Sequence, residues 1–539
     1  MARNVKDYAS EYRRFAWNIP QRFNFGVDVV DRIARTADGP ALVWCNANGE
    51  ERRFLYSDMA RETDRLAAAL RERGIAKGDR VIVMLPRIPE WQFAMVACMK
   101  LGAVPIPCIE MLTSKDLAYR AENSQARGVI ARREHTHKFA GLLESLPVRV
   151  SVGGAGDGWE SMESICASAP RDFEACDVRA EDPALLYYTS GSTGNPKGVL
   201  HCSGAISAWR EAGRAWLDLG PGDTIWCTAD TGWSKAGTSI LFGPWSMGAC
   251  TFFYDGPFDP KERLRLLAKY AVTVYCAPGT ELFRLVDERI ADHDLRALRH
   301  AVSAGEALNP VVADRWVAAT GIPVAEAYGQ TESLITLINV GSMPFKTGSM
   351  GLPSFGCVLD ILDDAGNPVP VGEEGDVAML APNPQIMLGY WNDPERTDQC
   401  YLVAPDGRKW FITGDRGVKD AEGYFYHRGR RDDVINSAGY RIGPAEVENA
   451  VLDHPAVQET AVIGVPDRER GELVKAFVVL REGYAASDAL KKELQDHVKR
   501  VTAPYKYPRL IEFIAELPKT MTGKIQRVAL RTMERERAR

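Results

Sequence analysis

The chain has 539 residues, 45% of them hydrophobic and 26% charged, with a formal net charge of -6. This composition is typical of a globular protein and argues against a bulk nucleic-acid binder, which usually carries a basic domain. No apolar run reaches the roughly 18 residues of a membrane span, and residues 1–7 contain no apolar signal core. The eleven cysteines include no Cys-x-x-Cys pair. We therefore expect a reduced, cytoplasmic protein with no integral membrane association and no nucleic acid as partner.

Segments with helical and strand periodicity alternate from about residue 27 to residue 340. Residues 59–73 and 90–101 have the helical period, whereas 80–85 and 103–107 are short apolar runs. This alternation predicts parallel sheets with helices on their faces, the arrangement of an α/β fold.

A loop rich in glycine and hydroxyl groups follows the apolar run 184–187. Residues 188–198 hold three glycines, five hydroxyl side chains and one lysine. Backbone N–H groups and hydroxyls in such a loop can bind phosphate oxygens, and the lysine adds a point charge. It is not a Walker A loop, because no Gly-Lys-Ser/Thr closes it. The candidate phosphate-binding residues are Thr189, Ser190, Gly191, Ser192, Thr193, Gly194 and Lys197.

The pattern changes twice towards the C-terminus. Short β-rich runs separated by turns over 348–426 predict a β-barrel-like subdomain. The charged segment 427–433 is interpreted as a turn and as the boundary between two domains, residues 1–431 and 432–539. After it, two helical and three strand-like segments predict a compact α+β domain.

Five further motifs follow the loop in order. They are Ser303-Ala304-Gly305-Glu306, Tyr328-Gly329-Gln330-Thr331-Glu332, Thr413-Gly414-Asp415, the run from Gly429 to Arg441, and Pro518-Lys519-Thr520-Met521-Thr522-Gly523-Lys524. Together with the loop they resemble the adenylate-forming (AMP-binding) superfamily over nearly the whole chain, which no single short pattern could indicate. The resemblance implies a large N-terminal domain of two α/β subdomains plus the β-barrel-like subdomain, and a small mobile α+β C-terminal domain.

Three further segments are most similar to the medium-chain acyl-CoA synthetases of that superfamily. They are Trp17-Asn18-Ile19-Pro20, residues 229–233 and residues 501–508. The resemblance implies an AMP-forming acyl-CoA ligase that uses a carboxylic acid, ATP, Mg²⁺ and coenzyme A. An adenylating enzyme that loads an acyl carrier protein, and a nucleotide-binding protein without catalysis, are the alternatives. The sequence leaves a monomer and a homodimer open.

The resemblance also assigns roles to residues of the nucleotide site. Lys524, Thr331 and Glu332 are the expected catalytic residues, with Thr331 on the α-phosphate and Glu332 on Mg²⁺, which prefers carboxylate oxygen. Asp415 and Arg430 are expected at the ribose, and Arg441 on the phosphate side. The remaining expected ATP or AMP contacts are Gly305, Glu306, Glu326, Ala327, Tyr328, Gly329 and Gln330. Singly, Asp415 could be a turn aspartate, Glu332 a helix cap and Lys524 a solvated lysine.

The predicted C-terminal domain carries the expected coenzyme A contacts. By resemblance Asp432 is the hinge of a domain rotation between the two half-reactions, and Ala438, Gly439 and Tyr440 line the pantetheine path. Arg470, Tyr507 and Arg509 are the candidates for the nucleotide end of the coenzyme.

The expected acyl pocket consists mostly of small residues. Its candidates are Trp233, Ser234, Gly279, Ser303, Ala304 and Gly329. Acetate-specific relatives carry tryptophan at the position of Gly329, so we expect glycine to leave that volume empty for an acid larger than acetate, whether medium-chain, branched or cyclic. The role of Lys235 stays open.

Overall fold

The structure is a computed structural model that describes residues 3–189, 195–305, 308, 310–430, 435–518, 525 and 527–537. By packing, the chain forms two compact units. One comprises Met1–Glu110, Arg120–Tyr187 and Gly198–Gly429, and the other comprises Met111–Tyr119, Tyr188–Lys197 and Arg430–Arg539. The division between Gly429 and Arg430 lies beside the predicted domain boundary after residue 431.

A mixed sheet of nine strands lies at the centre of the first unit. Its middle strands are parallel and its two edges antiparallel. The strands, in spatial order, are Leu352–Pro353, Leu334–Ile338, Val324–Gln330, His300–Ala304, Val274–Cys276, Thr224–Cys227, Cys250–Asp255, Pro40–Asn46 and Glu51–Leu55. The carboxyl ends of parallel strands share one edge of a sheet, where ligands usually bind in α/β folds.

A second sheet of the first unit is entirely parallel. Its order is Val104–Pro107, Arg80–Met84, Gly128–Arg132, Val148–Val152 and Glu160–Ser161. The continuous apolar run Val81-Ile82-Val83-Met84 is fully buried, as expected for a parallel strand covered on both faces. The predicted α/β fold with two α/β subdomains is confirmed.

The β-rich segment forms an antiparallel sheet. It comprises Leu359–Leu362, Glu374–Ala381, Lys409–Lys419 and Tyr401–Val403, and Phe425–Arg430 pairs with Lys409–Lys419. The interpretation of 427–433 as a turn is therefore wrong over 427–430. His427 and Arg428 are exposed, so their polar side chains face solvent while the backbone pairs. A small sheet joins Gly389–Tyr390, Lys197–Cys202 and Pro183–Thr189.

The second unit contains the predicted α+β domain. Its sheet has the order Tyr440–Ile442, Ile435–Ser437, Gly471–Leu480 and Val457–Asp467, and Leu510–Phe513 pairs in parallel with Gly471–Leu480. The helix Asp488–Val501 begins after Ser487, whose hydroxyl accepts a hydrogen bond from the Leu490 N–H at 3.1 Å. Leu490, Leu494 and Val498 recur at helical spacing on its buried face.

The helices cover the faces of these sheets and connect their strands. The α-helices are Tyr8–Arg14, Arg32–Thr36, Tyr56–Glu72, Pro89–Lys100, Ser114–Ser124, Met162–Ser168, Ser203–Ala215, Ser234–Ala236, Gly243–Ser246, Pro260–Lys269, Gly279–Leu285, Pro310–Thr320, Pro394–Asp398, Pro444–Leu452, Asp488–Val501 and Arg527–Arg537. Gly26–Asp31 and Gly237–Phe242 are π-helical, and Arg133–Leu142, Ile290–Asp292 and Pro504–Lys506 are 3₁₀-helical. Within the described ranges, every helix is too short or too polar to cross a bilayer.

Two helices of the first unit touch backbone to backbone. A Cβ placed on Gly213, in Ser203–Ala215, would lie 2.5 Å from the carbonyl oxygen of Gly243, the first residue of Gly243–Ser246. This distance is well inside van der Waals contact, and a backbone carbonyl cannot rotate away as a side chain can. The close approach therefore requires glycine at position 213.

We predict that Gly213→Ala destabilises the first unit by about 1–3 kcal/mol, because the added methyl group forces the two helices apart. The measurement is the urea midpoint followed by circular dichroism. Gly141→Ala is the matched control, since a Cβ on Gly141 meets nothing within 4 Å. Equal midpoints for the two variants would contradict the close approach.

Candidate active site

A tight hairpin positions Thr331 and Glu332. The strands Val324–Gln330 and Leu334–Ile338 pair antiparallel, and residues 331–333 form the turn between them. Leu334 has a φ of +52°, a left-handed conformation that lets the chain reverse directly into the second strand. Because the chain turns into a strand here, the reading of Glu332 as a helix cap is wrong. Thr331 and Glu332 are both buried.

Side chains from several elements hold this turn. Ser234 Oγ lies 3.1 Å from Thr331 Oγ1, and His201 Nε2 donates to the Thr331 carbonyl at 2.7 Å. Tyr390 OH donates to Glu332 Oε1 at 2.9 Å. Burial, and next the Glu332 carboxylate, hold the pKa of Tyr390 well above its usual value, so its hydroxyl stays protonated.

His201 is a fully buried, neutral histidine. Burial lowers its pKa to about 4, although the Thr331 carbonyl and Glu332 both favour the charged form. Since Nε2 donates to a carbonyl, Nδ1 is the unprotonated nitrogen, and it has no hydrogen-bond partner among the described residues. The ring packs edge-on against Trp209, with 4.8 Å between centroids.

Two donors from the same strand hold the carboxylate of Asp415. Tyr328 OH donates to Asp415 Oδ2 at 2.5 Å, and Gln330 Nε2 donates to the same oxygen at 2.7 Å and to the Thr413 carbonyl at 2.7 Å. His427 Nε2 lies 3.5 Å from Asp415 Oδ1. Asp415 is thus a buried carboxylate in a fixed orientation rather than a solvated turn aspartate.

Glu326 and its neighbours complete this edge of the central sheet. Glu326 Oε2 accepts a hydrogen bond from the Leu308 N–H at 3.1 Å, and burial raises the pKa of Glu326 to about 7. Ala327 pairs with Ala304 on the adjacent parallel strand. Gly305 follows Ala304 with a φ of +95°, which only glycine adopts readily.

Several predicted residues lie outside the described part of the chain. They are Ser190, Gly191, Ser192, Thr193, Gly194, Glu306, Asp432 and Lys524, together with the side chains of Arg430 and Arg441. Thr189 ends the strand that enters the phosphate loop, and Lys197 begins the strand that leaves it. Thr189 Oγ1 is buried and has no hydrogen-bond partner among the described residues.

The predicted acyl-pocket residues lie at the carboxyl ends of the central parallel strands. Ser303 and Ala304 end one strand, and Gly279 begins the helix that follows the neighbouring strand. Trp233 and Ser234 precede Lys235, whose ammonium donates to the Ala304 carbonyl at 3.0 Å. Lys235 is therefore bound to this edge of the sheet rather than solvated.

Two cysteines of the central sheet are paired in register. Cys227 and Cys276 are register partners on adjacent parallel strands, and both are buried. Burial, and next the neighbouring thiol, raise the pKa of Cys227 well above its usual value. Against the effect of burial, the pKa of Cys276 is lowered instead, by the neighbouring Cys227 and by the positive charge of Lys235.

Gly329 does not leave an empty volume, which corrects the expectation from the sequence. A Cβ on Gly329 would lie 1.8 Å from the Leu334 carbonyl oxygen and 2.9 Å from Ile335 Cα. The ladder between the two hairpin strands shifts register between Tyr328 and Gly329, and this irregularity brings the opposite backbone onto the glycine. The space that a larger side chain would need is occupied by backbone.

The second unit holds the predicted coenzyme A residues. Ala438 and Gly439, with φ of +51° and +79°, form a two-residue turn that leads into Tyr440, whose ring stacks on Tyr505 at 4.2 Å. Arg509 Nη1 donates to Tyr507 OH at 2.8 Å. Burial, and next Arg509, lower the pKa of Arg470.

Sequence reasoning missed His201, Tyr390 and Lys499. The ammonium of Lys499 lies 4.3 Å from the centroid of the Tyr507 ring. Tyr390 is 58 positions from Glu332 and His201 is 130 positions from Thr331, so no local spacing could join them. The histidine that follows the phosphate loop shortly afterwards is the one sequence signal for His201. It gives no indication of Tyr390.

Comparison with known proteins identifies the family. Residues 29–391 match the family model described as AMP-binding enzyme, and residues 446–524 match that of the AMP-binding enzyme C-terminal domain. The mitochondrial acyl-coenzyme A synthetase ACSM3 of Mus musculus is 40% identical, covering 98% of this chain and 94% of that protein. The chain belongs to the AMP-binding enzyme family.

Solved structures narrow the class. The acyl-CoA synthetase of Brucella canis has a TM-score of 0.71 at 31% identity, covering 99% of this chain and 98% of that one. The anthranilate CoA ligase AuaEII, solved with anthranoyl-AMP, has a TM-score of 0.72 at 31% identity, covering 96% of this chain and 98% of that one. The enzyme is an AMP-forming acid–thiol ligase of the acyl-CoA synthetase type, and the resemblance drawn from its motifs is confirmed.

We predict that Gly329→Trp lowers adenylation at least about tenfold for every acid, with no shift towards acetate, because the side chain displaces the hairpin backbone that carries Thr331 and Glu332. The measurement is pyrophosphate release with acetate and with hexanoate. Gly141→Trp, on open surface, is the control. A folded Gly329→Trp variant with raised acetate turnover would show that the pocket does reach this position.

We predict that His201 makes the fold acid-sensitive. Its folded pKa of about 4 lies below the ordinary 6.5, so the unfolded chain binds the proton more tightly and stability falls as pH falls from about 6.5 towards 4, by up to about 3 kcal/mol. His201→Gln should lose this component, whereas His137→Gln, at an exposed site, should keep it. The measurement is the urea midpoint of each protein at pH 7 and at pH 4.5. Identical pH dependence of the midpoint in wild type and His201→Gln would contradict the assignment of this effect to His201.

Proposed function

We propose that this ligase activates a carboxylic acid larger than acetate. The acid's carboxylate attacks the α-phosphorus of ATP, forming acyl-AMP and releasing pyrophosphate. The coenzyme A thiolate then attacks the acyl carbonyl, and AMP leaves with the electron pair of the broken C–O bond. The observation that supports this function best is a single strand and turn, residues 324–332, that places Thr331 and Glu332 and also orients Asp415 through Tyr328 and Gln330.

The residues of this turn suit Mg²⁺ and a phosphate. Glu332 is a buried carboxylate next to the Thr331 hydroxyl, and Mg²⁺ prefers such hard oxygen ligands. In the proposed site Glu332 holds Mg²⁺, which supplies positive charge to the phosphates, and the Thr331 hydroxyl donates to the α-phosphate. Because the first half-reaction joins two anions, such neutralisation lowers its barrier.

Asp415 is the proposed ribose-binding residue. A carboxylate has about four acceptor positions, and two protein donors share Oδ2. Their hydrogen bonds fix the orientation of the carboxylate before the nucleotide arrives. Ribose hydroxyls can therefore bind without a reorientation cost at Asp415.

Lys524 and Asp432 enter the proposal through their motifs alone. Lys524 is proposed to place its ammonium between the carboxylate and the α-phosphate, where charge develops as the bond forms. Asp432 is proposed as the hinge that separates the two half-reactions.

A cationic cluster of the second unit is the proposed site of the coenzyme's phosphates. Arg509 and Lys499 both lie over the Tyr507 ring, at 4.9 and 4.3 Å from its centroid. Arg470 is near enough to Arg509 for its pKa to be lowered by that neighbour. Such convergence of positive charge favours a phosphorylated ligand.

The acid is proposed to be medium-chain, branched or cyclic. Glycine, serine and alanine dominate the predicted pocket, and such small side chains suit an acid longer than two carbons. AuaEII, a structural neighbour at 31% identity, is named for an aromatic acid. Backbone occupies the volume beside Gly329, so we propose that the acyl group binds to the other predicted pocket residues, at the carboxyl ends of the parallel strands.

The cytoplasmic location expected from the sequence stays a proposal. ACSM3 of Mus musculus is named as mitochondrial, so fractionation of cells that express this chain is the direct test.

The proposed function is tested by pyrophosphate release with ATP and Mg²⁺ over acetate, butyrate, isobutyrate, hexanoate, octanoate, benzoate and cyclohexanecarboxylate, with and without coenzyme A. We expect coenzyme-dependent turnover that peaks above three carbons, and its loss in Lys524→Ala. Peak activity on acetate would overturn the acid class. Pyrophosphate release that coenzyme A does not stimulate would indicate carrier-protein loading instead.

A further inference from the structure

A short β-ribbon lies against the turn that carries Thr331 and Glu332. It consists of the strands Lys197–Cys202 and Gly389–Tyr390, which pair antiparallel with Tyr390 opposite Val199. Flanking backbone bonds extend the pairing, from Leu388 N–H to the Leu200 carbonyl at 2.8 Å and from Trp391 N–H to the Gly198 carbonyl at 2.7 Å. The ribbon therefore connects the exit of the phosphate loop to a second, distant segment of the chain.

Three hydrogen bonds from the ribbon and the residues beside it converge on two consecutive residues. His201 Nε2 donates to the Thr331 carbonyl at 2.7 Å, and the Met387 N–H donates to the Glu332 carbonyl at 2.8 Å. Tyr390 OH donates to Glu332 Oε1 at 2.9 Å. Both peptide groups of Glu332 are thus oriented along with its carboxylate, because the Thr331 carbonyl belongs to the peptide that precedes it.

Burial gives these contacts their strength. His201, Thr331, Glu332 and Tyr390 are each less than a tenth exposed. A buried carboxylate that loses a donor must rotate or attract water, so the position of its oxygens depends on that donor. Hydrogen bonds that orient a metal-binding carboxylate typically change metal affinity by about 10–100-fold when removed.

We propose that Tyr390 and His201 are positioning residues that hold Glu332 in the orientation that Mg²⁺·ATP requires. This inference rests on the proposed function of Glu332. Tyr390 fixes the carboxylate, and His201 fixes the peptide that presents it. The ribbon also contains Gly198, the last residue of the glycine-rich segment 188–198.

The test measures how strongly Mg²⁺ promotes nucleotide binding. The dissociation constant of ATP is determined by calorimetry in saturating Mg²⁺ and in EDTA, without acid or coenzyme A, so that no turnover contributes. We expect Tyr390→Phe to reduce the Mg²⁺-dependent gain in affinity about tenfold or more while ATP binding in EDTA changes less than about twofold. Tyr56→Phe is the matched control, because Tyr56 is likewise a buried tyrosine, and its hydroxyl donates to the Ala249 carbonyl at 2.8 Å.

A second pair of variants tests His201 independently of Tyr390. The amide of His201→Gln can still donate to the Thr331 carbonyl, so we expect a near wild-type gain, whereas His201→Leu should lose the gain as Tyr390→Phe does. Equal losses in Gln and Leu, at matched circular dichroism and melting temperature, would overturn the positioning role of His201.

Glu332→Gln separates this inference from the function on which it rests. If Glu332→Gln abolishes the Mg²⁺-dependent gain and Tyr390→Phe preserves it, Tyr390 has no positioning role although Glu332 binds the metal. If Glu332→Gln itself preserves the gain, both the role of Glu332 and the positioning role of Tyr390 fall. Loss of the gain in both variants, with Tyr56→Phe unaffected, supports the inference.

Discussion

The contact between Gly329 and the Leu334 carbonyl is the constraint on which the candidate active site depends. With no side chain at 329, the two hairpin strands come close enough for the chain to reverse within residues 331–333. That reversal places Thr331 and Glu332 together at the end of a sheet strand. It also fixes Tyr328 and Gln330 on the same side of their strand, two positions apart, so that both reach Asp415.

Three sheets meet at this hairpin, and each contributes a different kind of group. The central sheet provides the hairpin itself, the antiparallel sheet provides Asp415, and the small sheet provides His201 and Tyr390. The bonds made by His201, Tyr390 and Gln330 join buried groups, where an unmade bond is costly, and the bond from Tyr328 to Asp415 is partly buried. A site built in this way is rigid before ligands bind, which suits a reaction that is accelerated by positioning and charge neutralisation.

The sequence predicts the fold class and the motif residues of the site better than it predicts the residues that position them. Alternating periodicity over 27–340 correctly predicts parallel strands with helices on their faces, because helix and strand periods are local properties. The count of two α/β subdomains comes from the resemblance of the motifs instead. Thr331, Glu332 and Asp415 could be named as candidates because their motifs are contiguous. Tyr390 could not, since its partner is far away in sequence and only the pairing of two strands brings them together. The predicted empty volume at Gly329 is wrong for a related reason. A glycine can mark empty space or a closely approaching backbone, and only the structure distinguishes the two.

Because backbone occupies the volume beside Gly329, the size of the acid must be determined by residues at the carboxyl ends of the parallel strands. The residues there that could meet an acyl group are Ser303, Ala304 and the helix start at Gly279, with Lys235 bound to the Ala304 carbonyl. Ser303 Oγ is buried and has no hydrogen-bond partner among the described residues, and the buried thiols Cys227 and Cys276 pair in register on the central strands. A plain alkyl chain requires an apolar pocket, because a buried polar group without a partner costs free energy. With Ser303 Oγ in it, this edge of the sheet is more polar than such a pocket. An acid that carries a hydrogen-bonding substituent could pair with Ser303 Oγ, whereas a saturated chain of the same size would leave that hydroxyl unpaired.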